Sequence, residues 1–427
     1  MIQTNGNGLI LSAPASASGK TTLTLGILRA LVRRGSDVRS AKSGPDYIDP
    51  RFHRAAGNRD CVNLDAWAMS ENRIRALARG PGLLLVEGAM GLFDGAPPDG
   101  RGATADLART LGLPVVLVID TASQSQSVAA VVEGFARHRT DVAVVGVILN
   151  KTGSARHEKM LRDALEPGGV AIIGAVRRQA GLEHPSRHLG LVQADERPDL
   201  AAYLDRVADI VQSTLDLDLL VSLARPLPPA PPASPRLPPP AQDIAIASDR
   251  AFAFAYPHLL ADWRAEGAGI AFFSPLANEA PPASDLVILP GGYPELHAGR
   301  LAANTRFLDG LRRAAGTGRI YGECGGYMVL GETLVDADGK AHRMAGLLAL
   351  ETSFAKRCLN LGYRALTPLG GPWSMPLVAH EFHYASTLRA SGQALFGAAN
   401  AEGETLAPMG LQLNGVSGSF AHVIDRA

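Results

Sequence analysis

One stretch near the N-terminus constrains the fold more than any other: the small-residue loop at residues 13–22, which reads APASASGKTT. An apolar run precedes it at residues 8–11, and a helical pattern of leucine and isoleucine follows it. Between a buried strand and a helix N-terminus, backbone N–H groups and the positive end of the helix can bind phosphate. The stretch therefore predicts a nucleotide-binding α/β domain, although Pro14 stands where such loops usually begin with glycine.

The polar residues of this loop have predicted roles in binding ATP. Lys20 would reach the terminal phosphates, and the hydroxyl of Thr21 would bind Mg²⁺. The alternative is an ordinary turn between a strand and a helix, because Gly-Lys-Thr also recurs by chance. The predicted ATP-binding set extends to residues at the ends of later strands and comprises Ser16, Ser18, Gly19, Lys20, Thr21, Thr22, Lys42, Asn150 and Lys151.

Length and composition limit the class of protein. A chain of 427 residues with 46% hydrophobic residues is long enough for two domains. A net charge of zero argues against a nucleic-acid-binding surface. No apolar run reaches the roughly 18 residues that a membrane span needs, and no signal peptide is evident. Cys61, Cys324 and Cys358 form neither a metal-ligand spacing nor a disulfide framework, so we expect a cytoplasmic protein without membrane or nucleic-acid partners. The oligomeric state stays open, a homodimer being one option.

Short apolar runs alternate with amphipathic helical stretches as far as residue 175. The runs are continuous rather than alternating, which is typical of parallel strands buried on both faces. The pattern predicts a doubly wound α/β domain, in which ligands bind beyond the carboxyl ends of the strands. The six strand candidates are residues 9–12, 38–42, 83–87, 115–120, 142–149 and 170–175.

Carboxylates follow two of these strands. The second strand leads into residues 42–50, KSGPDYIDP, and the third ends at Glu87, which GAMGLFDG follows. Because Mg²⁺ prefers oxygen ligands, Thr21, Asp46 and Glu87 could together bind it. The alternative is that Asp46 and Glu87 cap helices or form turns, and that Asp94 belongs to a simple Asp-Gly turn.

A proline-rich run from Arg225 to Pro240 marks the clearest boundary in the chain. Such a run is expected to form an extended spacer that joins neither a sheet nor a helix. The predicted organisation is a synthetase domain at residues 1–224, a linker at residues 225–242 and a second α/β domain at residues 243–427.

The second domain centres on Cys324, in the sequence RIYGECGGYM. A strand, the pattern Gly-x-Cys-x-Gly and a helix make a nucleophile elbow with cysteine in place of serine. The helix N-terminus would lower the pKa of the thiol and offer N–H donors to an oxyanion. Spacing alone does not choose the base among the histidines of this domain, which are His297, His342, His380, His383 and His422.

Together these motifs resemble the cobyrinic acid and hydrogenobyrinic acid a,c-diamide synthases of cobalamin biosynthesis. The resemblance rests on the phosphate loop, KSGPDYIDP, EGAMGLFDG, GECGGYM and HEFHY, in this order. It implies a nucleotide-binding domain similar to dethiobiotin synthetase, followed by a class I glutamine amidotransferase domain. It further implies His422 as the catalytic histidine and an oxyanion hole at Gly292 and Gly325. In the nucleotide-binding domain it implies that Tyr47, Asp49 and Asp94 line the side of the site that binds the corrinoid.

The reaction that the resemblance implies uses ATP with Mg²⁺, L-glutamine and a corrinoid. Glutamine hydrolysis at Cys324 would supply ammonia, and ATP would activate the a and c carboxylates as acyl phosphates. The Ala-, Arg- and Pro-rich, lysine-poor composition is typical of GC-rich bacteria, in which the aerobic route is frequent, and favours metal-free hydrogenobyrinic acid. The alternatives are cobyrinic acid, nickel-sirohydrochlorin, a cobyric acid synthase, and a partitioning or switch ATPase. In one respect the chain departs from class I enzymes: Ile424 stands where they carry a glutamate, and Asp425 is a possible substitute.

Overall fold

The computed structural model describes residues 6–179, 182, 186–187, 190–191, 193–229 and 234–427. By its internal contacts the chain divides into unit 1, Met1–Pro235, and unit 2, Arg236–Ala427. The division falls within the predicted linker, of which residues 230–233 lie outside the described residues. No helix in the part of the chain that the structure describes is both long enough and apolar enough to cross a membrane.

Unit 1 is built on a sheet of seven parallel strands, and the predicted doubly wound α/β domain is confirmed. The chain runs outward from the first strand on one side and, after the fourth strand, continues on the other side. Ligand sites in such sheets lie beside the strand where this reversal occurs. In spatial order the strands are Val62–Leu64, Val38–Ser43, Leu83–Glu87, Asn7–Ser12, Val115–Asp120, Val144–Thr152 and Ala171–Arg177.

The six predicted strands all occur: those at residues 83–87 and 115–120 have the predicted ends, and the ends of the others differ by at most three residues. The seventh, Val62–Leu64, was not predicted because three residues are too few to give a pattern. The α-helices of unit 1 are Lys20–Arg33, Asp49–Gly57, Glu71–Ala78, Thr104–Leu111, Val128–His138, Ala155–Leu165, Leu200–Thr214 and Leu217–Ser222. Short elements complete it: the 3₁₀ turns Glu166–Gly168 and Ala194–Glu196 and the strand pair Ser186–Arg187 and Gly190–Leu191.

The proline-rich run is attached at its beginning to unit 1. Arg225–Pro226 pairs antiparallel with the start of the first strand, and the N–H of Leu227 donates to the carbonyl oxygen of Gly6 at 3.0 Å. The prediction that no part of the run joins a sheet is therefore wrong for these two residues. Proline is tolerated at a sheet margin, where its nitrogen need not donate a hydrogen bond.

The end of the run belongs to unit 2. Leu237 is fully buried, and its carbonyl oxygen accepts a hydrogen bond from Nε1 of Trp263 at 3.2 Å. The carbonyl oxygen of Pro240 accepts one from Arg319 at 2.8 Å. Proline keeps its carbonyl oxygen as an acceptor, so this part of the run is anchored by its backbone oxygens.

Unit 2 has a six-stranded sheet whose first five strands are parallel. In spatial order they are Gly269–Phe273, Asp243–Ala247, Leu286–Leu289, Arg319–Glu323, Val416–Ser419 and the antiparallel Leu411–Leu413. The helices are Pro257–Ala265, Ala298–Ala303, Thr305–Thr317 and Gly325–Leu330, with 3₁₀ turns at Pro275–Ala277 and Pro294–His297.

Two smaller sheets complete unit 2. One contains Ala341–Arg343, Thr333–Val335, Ala349–Ser353 and Ser386–Ser391. The other is antiparallel and contains Thr405–Met409, Phe396–Ala399, Asn360–Pro368, Leu377–His383 and Ala421–Arg426. The core of unit 2 is apolar and includes the buried ring of Phe307, which lies against the buried rings of Phe252 and Phe273.

The helix Gly325–Leu330 can lie directly against the sheet because Gly326 has no side chain. A Cβ atom at Gly326 would lie 1.9 Å from the carbonyl oxygen of Leu289, which is backbone and cannot rotate away. We therefore expect Gly326→Ala to lower the free energy of unfolding of unit 2 by about 3 kcal/mol or more. Gly316→Ala is the matched control, because Gly316 lies in a helix with open space around it.

The measurement is calorimetric unfolding of the full chain. The control variant should change stability by about 1 kcal/mol or less, in the stabilising direction. Equal stability of the two variants would contradict the packing argument.

Candidate functional site

The predicted phosphate loop leads from the central strand into the helix Lys20–Arg33. Ala17 and Gly19 both have positive φ angles, 62° and 88°, which turn the backbone before the helix starts. The loop is fixed by two hydrogen bonds: Ser18 Oγ donates to the carbonyl oxygen of Ala15 at 2.8 Å, and Asn150 Nδ2 donates to that of Ser18 at 2.8 Å. A Cβ atom at Gly19 would collide with the Asn150 amide, so glycine is required there by both conformation and space.

Lys20 lies at the start of this helix with its side chain largely buried. Its ammonium group donates to the carbonyl oxygens of Met90 at 2.5 Å and Ala15 at 3.2 Å. Burial lowers the pKa of Lys20, and the nearby Lys42 lowers it further against the opposing effect of Glu87. The ammonium group thus lies between the phosphate loop and the GAMG segment that follows Glu87, where it could bind an anion.

A buried ion cluster forms where the ends of two neighbouring strands meet the first helix. The Lys42 ammonium contacts Asp49 Oδ2 at 2.6 Å and Glu87 Oε1 at 2.7 Å. Burial alone would lower the pKa of Lys42, but Asp49, Glu87 and Asp46 raise it well above its usual value. The Thr21 hydroxyl donates to Glu87 Oε1 at 2.6 Å and lies 3.4 Å from Asp49 Oδ2. The structure therefore brings Thr21 and Glu87 of the predicted Mg²⁺ site together with Lys42 of the predicted ATP-binding set.

Glu87 is held from its other side by a histidine that sequence reasoning missed. His53 Nε2 lies 2.6 Å from Glu87 Oε2, and His53 Nδ1 lies 3.5 Å from the sulfur of Cys61. All three side chains are buried. Burial would raise the pKa of Glu87, but Lys42 and His53 lower it well below its usual value. His53 is on a helix four residues after Asp49, and this spacing on one helix face is the signal that could have identified it.

Asp46 has a different position from Asp49. Its Oδ1 accepts hydrogen bonds from the N–H groups of Ile48 and Asp49, while its Oδ2 lies 3.9 Å from the Lys42 ammonium. Burial and the neighbouring Asp49 raise the pKa of Asp46 to about 7. Of the predicted substrate-side residues, Tyr47 is half-buried beside it, and Asp94 is exposed and accepts from the N–H of Gly91 at 2.8 Å.

The remaining predicted ATP-binding residues surround the loop at its outer side. Lys151 donates to the carbonyl oxygen of Ala17 at 3.0 Å and to Asp120 Oδ2 at 2.6 Å. Thr22 Oγ1 donates to the carbonyl oxygen of Leu182 at 3.2 Å. Ser16 is exposed at the tip of the loop. Asp120 ends the strand Val115–Asp120 beside the loop and lies outside the predicted ATP-binding set.

The donor atoms of the cluster fit Mg²⁺ by their chemistry. A threonine hydroxyl and carboxylate oxygens are the hard ligands that this ion prefers, and bound phosphates usually complete its coordination. No group of three or more His, Cys, Asp or Glu residues in the described ranges has the geometry to hold a metal by itself. In the structure the Lys42 ammonium group neutralises the carboxylates of Asp49 and Glu87.

The nucleophile elbow of unit 2 has the geometry that its sequence predicts. Cys324 lies between the strand Arg319–Glu323 and the helix Gly325–Leu330, with φ 45° and ψ −103°. Its N–H donates to the carbonyl oxygen of Ser419 at 2.8 Å. The prediction of a lowered thiol pKa is wrong: burial and Glu295 raise the pKa of Cys324, against the opposing hydrogen bond from Gly325. A neutral thiol of this kind needs a base to become a nucleophile.

The predicted oxyanion hole and base lie around this elbow. A Cβ atom at Gly325 would lie 3.1 Å from the backbone nitrogen of Gly292, so the backbone segments at these two glycines are neighbours. A Cβ atom at Gly291 would lie 2.1 Å from His422 Cε1, so the His422 ring packs directly on Gly291. The backbone at residues 291–292 thus packs against His422 and also against the N-terminus of the helix after Cys324.

His422 is fully buried among other titratable groups. Burial, together with the nearby His380 and His383, lowers its pKa to about 3. His380 lies directly opposite it on the neighbouring strand. His383 is bonded to Glu381 at 3.0 Å, and Glu381 also pairs with Arg364 at 2.8 Å. A neutral imidazole is the form that can accept a proton from a thiol.

Comparisons with known proteins agree over both units. A CobQ/CobB/MinD/ParA nucleotide binding domain matches residues 9–192, and a CobB/CobQ-like glutamine amidotransferase domain matches residues 243–426. The hydrogenobyrinate a,c-diamide synthase of Brucella anthropi is 56% identical to this chain over 430 residues. That of Brucella abortus is 57% identical over 429 residues. Each alignment covers 98% of this chain and 98% of the relative. That of a Sinorhizobium species is 54% identical over 432 residues, with 99% of each covered.

A solved glutamine amidotransferase is 17% identical and covers 42% of this chain and 89% of its own, with a TM-score of 0.28. The similarity to the three synthases, by contrast, runs through nearly the whole chain.

The ion cluster of unit 1 makes a prediction about stability. Glu87→Gln removes the negative charge that Lys42 and His53 share, and it leaves the Lys42 ammonium buried with less compensation. We expect the free energy of unfolding to fall by about 3 kcal/mol or more. Glu71→Gln is the matched control, because Glu71 forms ion pairs with Arg75 and Arg109 at the surface.

Urea unfolding of the full chain measures both variants. The control should lie within about 1 kcal/mol of the unsubstituted protein. A Glu87→Gln variant as stable as the control would show that the cluster does not depend on its charge.

Proposed function

The chain belongs to the hydrogenobyrinate a,c-diamide synthase family, and we propose that it uses ATP and glutamine to amidate the a and c carboxylates of hydrogenobyrinic acid. The observation that carries this proposal is the identity of 54–57% to synthases of that name over 98–99% of the chain. The site geometry supports it, because one unit presents an anion-binding loop and the other a cysteine nucleophile beside a buried histidine.

In unit 2 the proposed reaction is the hydrolysis of glutamine. His422 takes the proton of the Cys324 thiol, and the thiolate attacks the side-chain amide carbon. The N–H groups of Gly292 and Gly325 bind the oxyanion of the tetrahedral intermediate. The carbon–nitrogen bond breaks as His422 returns the proton, so ammonia leaves and a glutamyl thioester remains. Water then releases glutamate and restores the thiol.

In unit 1 the proposed reaction is activation and amidation of a carboxylate. A carboxylate oxygen of the corrinoid attacks the γ-phosphorus of ATP, and ADP leaves from the resulting acyl phosphate. Ammonia then attacks the acyl carbon, the bond to phosphate breaks, and loss of a proton leaves the amide. Lys20 and Lys42 neutralise the charge that is transferred with the phosphoryl group, which is the main catalytic requirement of such transfers.

Mg²⁺ would supply further positive charge to the phosphates. We propose Thr21, Asp46 and Glu87 as its ligands, as the sequence predicts, and add Asp49, whose oxygen lies close to Thr21. Ser16, Ser18, Gly19, Thr22, Asn150 and Lys151 would bind the nucleotide from the loop side. Tyr47 and Asp94 would line the corrinoid side, and Asp49 could serve both sides.

The partners that this function requires are small molecules: the corrinoid, ATP and L-glutamine. A homodimer stays a prediction. All three cysteines lie in the described part of the chain and outside any disulfide, which supports the proposed location in a reducing cytoplasm.

Cys324→Ser separates the two half-reactions. We expect glutamine-dependent amidation to fall by at least about 10³-fold, because the hydroxyl is a much weaker nucleophile than the thiol. Synthesis from added ammonium should stay within about twofold, because unit 1 is unchanged. Product formation with glutamine and with ammonium is measured for each protein, and Cys358→Ser, at an exposed cysteine, is the control. Loss of both activities in Cys324→Ser alone would contradict the assignment of Cys324 to ammonia supply.

The corrinoid is identified by product mass. Purified protein with ATP, Mg²⁺ and glutamine is given hydrogenobyrinic acid and cobyrinic acid in parallel, and each replacement of OH by NH₂ is counted by mass spectrometry. We expect two amidations of the metal-free substrate. Two amidations of only the cobalt form would move the proposal to cobyrinic acid. ATP hydrolysis without amidation of either would instead favour a P-loop switch ATPase.

A further inference from the structure

The base of unit 2 lacks the carboxylate that class I amidotransferases place two residues after the histidine. That position is Ile424, which is fully buried, and its carbonyl oxygen is bonded to His258 at 2.8 Å. A catalytic histidine usually needs a hydrogen-bond acceptor at one nitrogen so that the other faces the nucleophile. The carboxylates near the elbow are therefore candidates for this role.

We propose that Glu323, the residue immediately before the nucleophile, is the carboxylate that positions His422. Its Oε2 lies 3.9 Å from His422 Nδ1; the His422 side chain is buried, and 12% of the Glu323 side chain is exposed. Its Oε1 accepts a hydrogen bond from the N–H of Val423 at 3.1 Å, which ties the carboxylate to the strand that carries the histidine. The inference rests on the proposed glutamine hydrolysis and adds a positioning residue to it.

The geometry follows from the elbow itself. Glu323 ends the strand Arg319–Glu323, and the chain then turns sharply at Cys324, so two consecutive side chains take different directions. One oxygen of the carboxylate is already fixed by Val423. A distance of 3.9 Å is longer than a hydrogen bond, and catalytic contacts of this kind commonly tighten when substrate binds. Glu323 would then hold the proton at Nδ1, leaving Nε2 to face the thiol.

Other carboxylates fit this role less well. Asp425 Oδ1 accepts from the N–H of Arg426, and the residue lies opposite Val378 on the neighbouring strand. Glu381 is bonded to both His383 and Arg364. The carboxylate of Glu323, by contrast, lies 3.9 Å from His422 Nδ1.

The protonation of Glu323 and His422 predicts a pH dependence for glutamine hydrolysis. Burial, partly offset by the Val423 N–H, raises the pKa of Glu323 to about 8, while burial together with His380 and His383 lowers the pKa of His422 to about 3. Tyr321 faces Glu323 from its own strand, and His380 and His383 face His422 from the neighbouring one. Each charge is costly alone, whereas an imidazolium beside a carboxylate compensates both. Because Glu323 loses its proton as the pH rises through about 8, glutamine hydrolysis should increase over that range.

The test uses the full chain with Glu323→Gln, Glu323→Asp and, as a matched control, Asp425→Asn. Glutamine hydrolysis is measured between about pH 6 and 9.5 for kcat and for the KM of glutamine, together with ammonium-driven synthesis. For Glu323→Gln we expect kcat to fall about 10²-fold or more, KM to change less than about threefold, and the rise near pH 8 to disappear. Glu323→Asp should recover part of kcat and keep the pH dependence, and Asp425→Asn should match the unsubstituted protein.

Each outcome of this test either supports or overturns the proposed role of Glu323. A Glu323→Gln variant with the kcat and pH profile of the unsubstituted protein overturns the proposal, as does a loss that Asp425→Asn reproduces. If Glu323→Gln does not fold, the aspartate variant decides: reduced kcat with retained pH dependence supports the proposal, and unchanged kcat overturns it. If the unsubstituted protein hydrolyses no glutamine while still using ammonium, the proposed glutaminase function has failed instead.

Discussion

The site of unit 1 depends on the ion pairs that the buried ammonium group of Lys42 forms with Asp49 and Glu87. A charge removed from water is tolerated only when opposite charges surround it at short distance. Here Asp49 and Glu87 provide them, and Glu87 is in turn held by Thr21 and His53. These contacts tie two neighbouring strand ends to the first residues of two helices. The same atoms that make the fold locally rigid are those expected to meet ATP, so the stability and chemistry of this unit are not separable.

Unit 2 positions its reactive groups in a different way. Its constraint is the close approach of backbone segments: Gly291 lies under the ring of His422, Gly292 lies beside Gly325, and Gly326 lies on Leu289. Any side chain at these positions would push apart the groups that the reaction needs. Both units therefore place their reactive groups at the carboxyl ends of parallel strands, one by charge compensation and the other by the absence of side chains.

Much of this architecture could be predicted from the sequence, because buried parallel strands give continuous apolar runs and small-residue loops mark their ends. The strands around the phosphate loop and the elbow at Cys324 follow from such patterns. The three-residue strand Val62–Leu64 and the pairing of Arg225–Pro226 could not be predicted, since neither is long enough to have a period. His53 and Glu323 were missed for a different reason. Their partners, Glu87 and His422, are distant in sequence, and only the folded chain brings them together.

The backbone at Cys324 has a further consequence for how this protein can change. A φ of 45° in a residue with a side chain is sparsely populated and costs of the order of 1–3 kcal/mol. Glycine would adopt the same conformation with little strain. Selection for thermal stability alone would therefore favour glycine at the position that carries the nucleophile. The cysteine persists against this preference only as long as its thiol is used, so a lineage that obtains ammonia from solution would be free to lose it.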